Sequence, residues 1–229
     1  MADFRLRGVG SDSDVFAQVD STTNALRVSP RPTEYADNGG VIGGHYRIAR
    51  QSGTMASGIA SAAQVFQVRW ADPVKLFGLK NITIQASTGT GFAATTLGAP
   101  LELIIGHGST ANGSGGTAFA PTSSSNKMRS SMASTAFVTS GEIRIATTAA
   151  LTAATGQTLE AEAIGECLGA PNSTLLQAAQ QVLFDQRDNG DHPLLLNGGD
   201  TIAIRTLNPA ATGTWFFTVT MAWLEVAAY

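Results

Sequence analysis

Cysteine, charge and long apolar runs are all scarce in this chain. The single cysteine, Cys167, has no internal partner, which excludes a small secreted scaffold held by disulfides; a lone thiol packs as a small hydrophobe, so Cys167 is expected to be buried and inert. Charged residues make up 14%, well under the roughly 25% of ordinary soluble domains. The net charge is -3 and the pI about 5.5. Lys and Arg are not clustered, so there is no footprint for a phosphate backbone and no nucleic-acid partner is expected. No apolar stretch approaches the ~20 residues of a membrane span. MADFRLRGVGSDSD at the N-terminus contains acidic residues and lacks an apolar core, so no signal peptide is expected. Synthesis and folding in a reducing cytoplasm fit these absences.

Reactive motifs are equally sparse. His45, His107 and His192 each stand alone in sequence, without the paired ligands of a metal-binding strand. There is no Gly-x-Ser-x-Gly elbow, and position favours no Ser/His/Asp set. The glycine-rich run at 106–125 lacks the Lys-Ser/Thr ending of a P-loop, and its composition reads as a flexible loop. Asp185, Asp188 and Asp191 form the densest acidic cluster; a glycosidase pair or a Ca²⁺ site would use such residues, whereas the plain reading is a solvated turn. No catalytic residue, metal ligand or cofactor site is expected.

Small residues and β periodicity fill the space. TWFFTVTMAWLEV (214–226) places Trp215, Phe217, Val219, Met221 and Trp223 on one side of a period-two alternation, a strand with one buried face. Five large side chains need other strands opposite them, so this is the seam of a sheet-on-sheet core. Further strands are read at HYRIAR (45–50), VFQVRW (65–70), KLFGLKNITIQAS (75–87, with a bend or bulge at Gly78), LELII (101–105), KMRSSM (127–132), GEIRIAT (141–147) and TIAIR (201–205). Ile202 and Ile204 are expected to share the core of Trp215 and Phe217. SGTMASGIASAA (52–63) is left open between a turn and a weak helix. STLLQAAQQVLF (173–184) carries apolar residues at helical spacing behind Ser173 as N-cap, which predicts one short helix. About eight strands, Gly/Pro turns and one helix make an all-β, jelly-roll-like β-sandwich over residues 45–229.

Residues 1–44 differ. Pro30 and Pro32 block helix propagation, NALRV (24–28) has room for one short strand, and the apolar content is too low to fold alone. The segment is therefore an extended N-terminal arm, either disordered or laid on a partner.

GGHYRIARQSGTMASGIASAAQVFQVRW, then KMRSSM and EIRIATTAALTAATGQTLE, then PLLLNGGDTIAIRT and PAATGTWFFTVTMAWLEVAAY together resemble a family of tailed-bacteriophage virion proteins encoded among head and capsid genes. The likeness spans about residues 43–229, and NALRVSPRP in the arm is also typical. The family carries no catalytic motif to transfer. The resemblance implies a capsid decoration, or cement, protein: a homotrimeric jelly-roll module on the outside of the major capsid protein lattice, located on the virion surface after assembly in the host cytoplasm, with no membrane or nucleic-acid contact. In that setting Arg27, Arg31 and Tyr35 of the arm are candidate anchors on a neighbouring capsomer, since Arg and Tyr are enriched at interfaces. The alternative is a trimeric receptor-binding or fibre-tip jelly roll recognising a host surface glycan. An enzyme, the third class, would have only the 185–191 turn to work with.

Overall fold

The computed structural model describes residues 44–94, 100–119, 121, 126–128, 134–168, 179–190, 192–206 and 210–227. The arm, apart from Gly44, lies outside them. In chain order the strands are β1 (His45–Gln51), β2 (Met55–Ala56), β3 (Ala63–Trp70), β4 (Lys75–Thr88), β5 (Ala93–Ala94), β6 (Pro100–His107), β7 (Thr117–Phe119), β8 (Gly141–Ile145), β9 (Thr158–Leu159), β10 (Gly165–Leu168), β11 (Gln181–Asp185), β12 (Leu194–Leu196), β13 (Thr201–Thr206), β14 (Ala210–Thr212) and β15 (Thr214–Ala227). One sheet runs β1-β15-β4-β11, with β12 also on β4 and β2 on β15; the other runs β10-β6-β13-β3-β8-β7, with β9 on β6; β14 and β5 form a separate ribbon. The two sheets pack face to face as an all-β sandwich.

β4 and β15 form its spine, paired from Trp215 opposite Thr88 to Ala227 opposite Lys75. Phe77 and Leu79 are odd-numbered, while Ile82, Ile84 and Ala86 are even-numbered, yet all five are buried in the same core. A β-bulge reconciles them: Ala222 faces Asn81 and Trp223 faces Leu79, which makes Lys80 the extra residue of the bulge and reverses the parity. The irregularity expected at Gly78 is therefore two residues further on. Gly78 stays in register, and a Cβ there would come 2.7 Å from Leu224 Cδ1. The five seam residues of β15 are all buried, and Ile202 and Ile204 of β13 join their cluster, each contributing roughly 1.5–3 kcal/mol by burial.

Two expectations are corrected. Gln181–Asp185, the end of the expected helix, is strand β11, with Gln181 opposite Ile84 and Asp185 opposite Asn81. Leu183 is buried and Val182 exposed, so the ladder of β4 overrides a helical spacing of apolar residues; Ser173 lies outside the described residues. The Gly-rich run 106–125 is not a free loop. It holds β7, and Ala111 bridges Thr155 while Ser114 bridges Thr152. Gly113 admits this close approach, since a Cβ there would overlap Gln67 Oε1 and the Thr152 carbonyl oxygen. Of KMRSSM, Lys127 makes an isolated bridge to Tyr46 and Met128 N–H donates to the His45 carbonyl at 2.9 Å; its remaining residues lie outside the described set. Short strands such as β2, β9 and β12 raise the number above the expected eight because two or three residues show no periodicity.

The sides of the sandwich differ. Where β10 and β11 meet, a Cβ on Gly165 would overlap the Leu183 carbonyl oxygen, so glycine lets the sheets touch. Between β1 and β3, residues 52–56 bond to both sheets: Ser52 N–H donates to Phe217 O at 2.8 Å, and Gly53 and Ala56 N–H donate to Ala146 O and Thr148 O at 3.2 and 3.1 Å. Neither a simple turn nor a helix, this link fastens one layer to the other.

Candidate functional site

The inward alternation of β15 continues one step beyond Trp223, to Glu225, which is 0% exposed. A buried carboxylate requires donors, and it has them. Thr135 Oγ donates to Oε1, Ala136 N–H lies 3.1 and 3.0 Å from the two carboxylate oxygens, and Trp223 Nε1–H reaches Oε1 at 3.3 Å. Lys75 Nζ is 3.6 Å from Oε2. Burial pushes the Glu225 carboxyl up from its ordinary value, against the opposing pull of Thr135, Ala136, Lys75 and Trp223. The anchored segment opens the 3-10 turn Ala136–Val138, capped by the Thr135 side chain. Its Phe137 meets Trp70, Phe77 and Trp223 edge-on, at centroid distances of 4.9, 5.9 and 5.6 Å. Tyr46 stacks on Trp223 at 5.5 Å, and its phenol is pushed up to about 12 by burial and by Glu225. The group is an aromatic plug held by a carboxylate.

A second constellation assembles from three distant segments. His107, at the end of β6, has Nε2 2.9 Å from Glu160 Oε1 and Nδ1 2.9 Å from Asp200 Oδ1. The bonds to Glu160 and then Asp200 raise its pKa, because a ring held between two carboxylates is favoured as the imidazolium, donating from both nitrogens. Ser109 is near, but its hydroxyl donates to the Gly199 carbonyl at 2.6 Å and accepts from Arg69 Nε at 3.0 Å. Ser109, His107 and Asp200 are thus neighbours without a nucleophile-to-base hydrogen bond. The arrangement clasps β6 to the turn before β13.

The remaining candidates fall out as follows. Asp185 accepts Arg187 N–H at 2.9 Å as the cap of a 3-10 turn, Gln186–Asn189, and the Arg187 side chain holds its carboxyl below the usual range; Asp191 lies outside the described residues. Cys167 is buried, and burial with Glu166 nearby pushes its thiol up to about 11, far from a reactive thiolate. His45 is held down to about 4 by burial and by Lys80. Among the described residues no group of three His, Cys, Asp or Glu is placed to hold a metal, and no helix is long and apolar enough to cross a membrane. Arg27, Arg31 and Tyr35 lie outside the described residues.

A shallow groove of about 380 Å³ opens between the edges of β1 and β7, lined by Arg50, Gln51, Phe119 and Ile145 among others. The Arg50 guanidinium sits 4.9 Å from the Phe119 ring centroid, a cation–π contact that joins the two layers at their open side.

Glu225 was within reach of the sequence, because its position follows from the parity of β15. Glu160 and Asp200 were not, since no local pattern ties them to His107. Compared with protein-family models, with curated proteins and with solved structures, the chain matches none.

Proposed function

We propose that this protein is a capsid decoration, or cement, protein of a tailed bacteriophage. In this reading it is a homotrimeric jelly-roll module that binds the outside of the major capsid protein lattice and stabilises the DNA-filled head. The observation that carries the reading, beside the sequence resemblance, is the use made of the most reactive side chains. Glu225 anchors a plug, His107 clasps two segments, Asp185 caps a turn and Cys167 is packed away. Groups that an enzyme would leave poised for substrate are fasteners here, which suits a rigid module whose work is to bind. Low charge and small side chains suit close packing against flat protein faces. A protein that binds the assembled lattice and not free subunits stabilises the shell by linkage, and many copies multiply the effect.

The test is cryo-electron microscopy of phage capsids mixed with the purified protein, with light scattering of the protein alone. Ordered density over the lattice and a trimer in solution are expected. Bare capsids together with binding to host cells would overturn the reading in favour of the receptor-binding alternative, and release of sugar from a host glycan would replace it with an enzyme.

A further inference from the structure

Large hydrophobic side chains are unevenly exposed over the described residues. Val74, Met128, Val182 and Leu195 are 67, 45, 52 and 40% exposed. Three of the four gather at one end of the β1-β15-β4 sheet. Met128 bonds to His45, His45 pairs with Leu224, Leu224 with Gly78 and Gly78 with Leu195. That is one register row across five chain segments, about 19 Å at ~4.8 Å per strand. Paired residues of a ladder share a face, and here it is the outer one, because Phe77, Leu79, Tyr46 and Trp223 in the neighbouring rows point into the core. Gly78 brings the row together, since a Cβ there would meet both Leu224 and Leu195. Half-buried Leu76 and Val226, paired with each other, extend the apolar surface toward the end, with Val74 beyond them. On the other side of the row stand Arg47, exposed and opposite Ala222, and Lys80 at the bulge.

The N-terminal segment joins the sandwich at this same place. The Gly44 carbonyl accepts from Glu225 N–H at 3.0 Å and its N–H donates to the Tyr46 hydroxyl at 3.1 Å, so residue 44 is fixed beside the row, with 43 residues preceding it. A partner gripped by that segment is tethered next to this face, which raises its effective concentration there.

We infer that the outer face bearing Met128 and Leu195, on either side of the buried Leu224, is the surface by which the module seats on the shell, against an apolar spot bordered by carboxylates on the assembled major capsid protein. The inference rests on the capsid reading. It adds the orientation: the plugged end of the sandwich carrying Gly44 faces the lattice, and the end carrying Gln51 and Thr214 faces away. The row fits within the ~800 Å² per partner of an ordinary interface.

The experiment uses the full chain and purified capsids. Oxidative footprinting of the wild-type protein should show Met128 protected on capsids and reactive in free solution. The double variant Met128→Glu, Leu195→Glu, checked for an unchanged melting temperature, should bind capsids about tenfold more weakly or worse. Val182→Glu, an equally exposed site further along the same sheet, should stay within about twofold of wild type. Wild-type binding with Met128 still reactive, or with the double variant unimpaired, overturns the orientation and leaves the capsid reading standing. Failure of the wild type to bind capsids overturns both. Protection of Met128 in the free wild-type protein, together with loss of the trimer in the double variant, assigns the face to self-contact and likewise overturns the proposal.

Discussion

Replacing Glu225 by alanine tests the central fastening. The substitution leaves Ala136 N–H, Trp223 Nε1–H and the Thr135 hydroxyl without their common acceptor, and Lys75 without its carboxylate. A buried donor left unmade costs about 1–3 kcal/mol, so the Ala136 and Trp223 N–H groups together cost about 2–6 kcal/mol, while partly exposed Lys75 turns to solvent. Against a domain stability of about 5–15 kcal/mol that is a large fraction. At about 2–4 °C per kcal/mol for a chain of this size, the melting temperature should fall by roughly 4–24 °C, read by circular dichroism and tryptophan fluorescence at pH 7. Glu225→Gln differs, because it keeps an acceptor for Ala136 and removes the desolvated charge, while partly exposed Lys75 turns to solvent; it should stay within about 1 kcal/mol of wild type. The pH dependence separates charge from shape. The Glu225 pKa is raised in the fold above its ordinary 4.5, so the folded state binds the proton more readily than the unfolded one. Its stabilising contribution is full below 4.5 and is lost as pH rises through the folded value. Wild type should therefore lose stability relative to Glu225→Gln across that window, and the Gln variant should be flat there. An alanine variant within about 1 kcal/mol of wild type, or the same pH slope in wild type and Gln variant, would refute the reasoning.

Two further outcomes follow from the geometry. His107 should titrate by NMR above the unperturbed midpoint of about 6.5, and Glu160→Gln should bring it down. Because the folded pKa is raised, the clasp's contribution is present below about 6.5 and fades as pH rises through the folded value; a wild-type midpoint at or below 6.5 would sink the clasp. Gly165→Ala should destabilise the sandwich by about 1–3 kcal/mol, since its Cβ overlaps the Leu183 carbonyl oxygen where the sheets meet. An unchanged denaturant midpoint would show that the β10 and β11 edges separate freely.

Periodicity carried the fold. Where a strand was long enough to alternate, as in β15, β4 and β13, its inward residues could be read directly, because the period of two is a property of the backbone alone. The readings failed where a partner decides. The apolar residues of 173–184 satisfy a helical template as well as a strand, and only the free edge of β4, far away in sequence, makes Gln181–Asp185 a strand. The Gly- and Ser-rich stretch at 106–125 looked flexible because flexibility is what such composition gives in isolation; its order comes from bridges to Thr152 and Thr155.

Glu225 shows where a local rule stopped one residue short. The alternation that places Trp215 through Trp223 inside makes Glu225 the next inward position, and a carboxylate there conflicts with burial unless donors await it. Such a conflict between pattern and chemistry marks a site that tertiary structure has to resolve. The resolution is Thr135, whose sequence neighbourhood announces nothing, with Ala136 N–H and the Trp223 indole beside it. At the same point Gly44 joins the ladder through Glu225 N–H. One residue thus holds the aromatic plug by its side chain and the root of the N-terminal segment by its backbone. Loosening the plug should therefore loosen the start of β1 as well, so amide exchange at Tyr46 in Glu225→Ala should quicken together with exchange at Phe137, whereas quickening at Phe137 alone would separate the two.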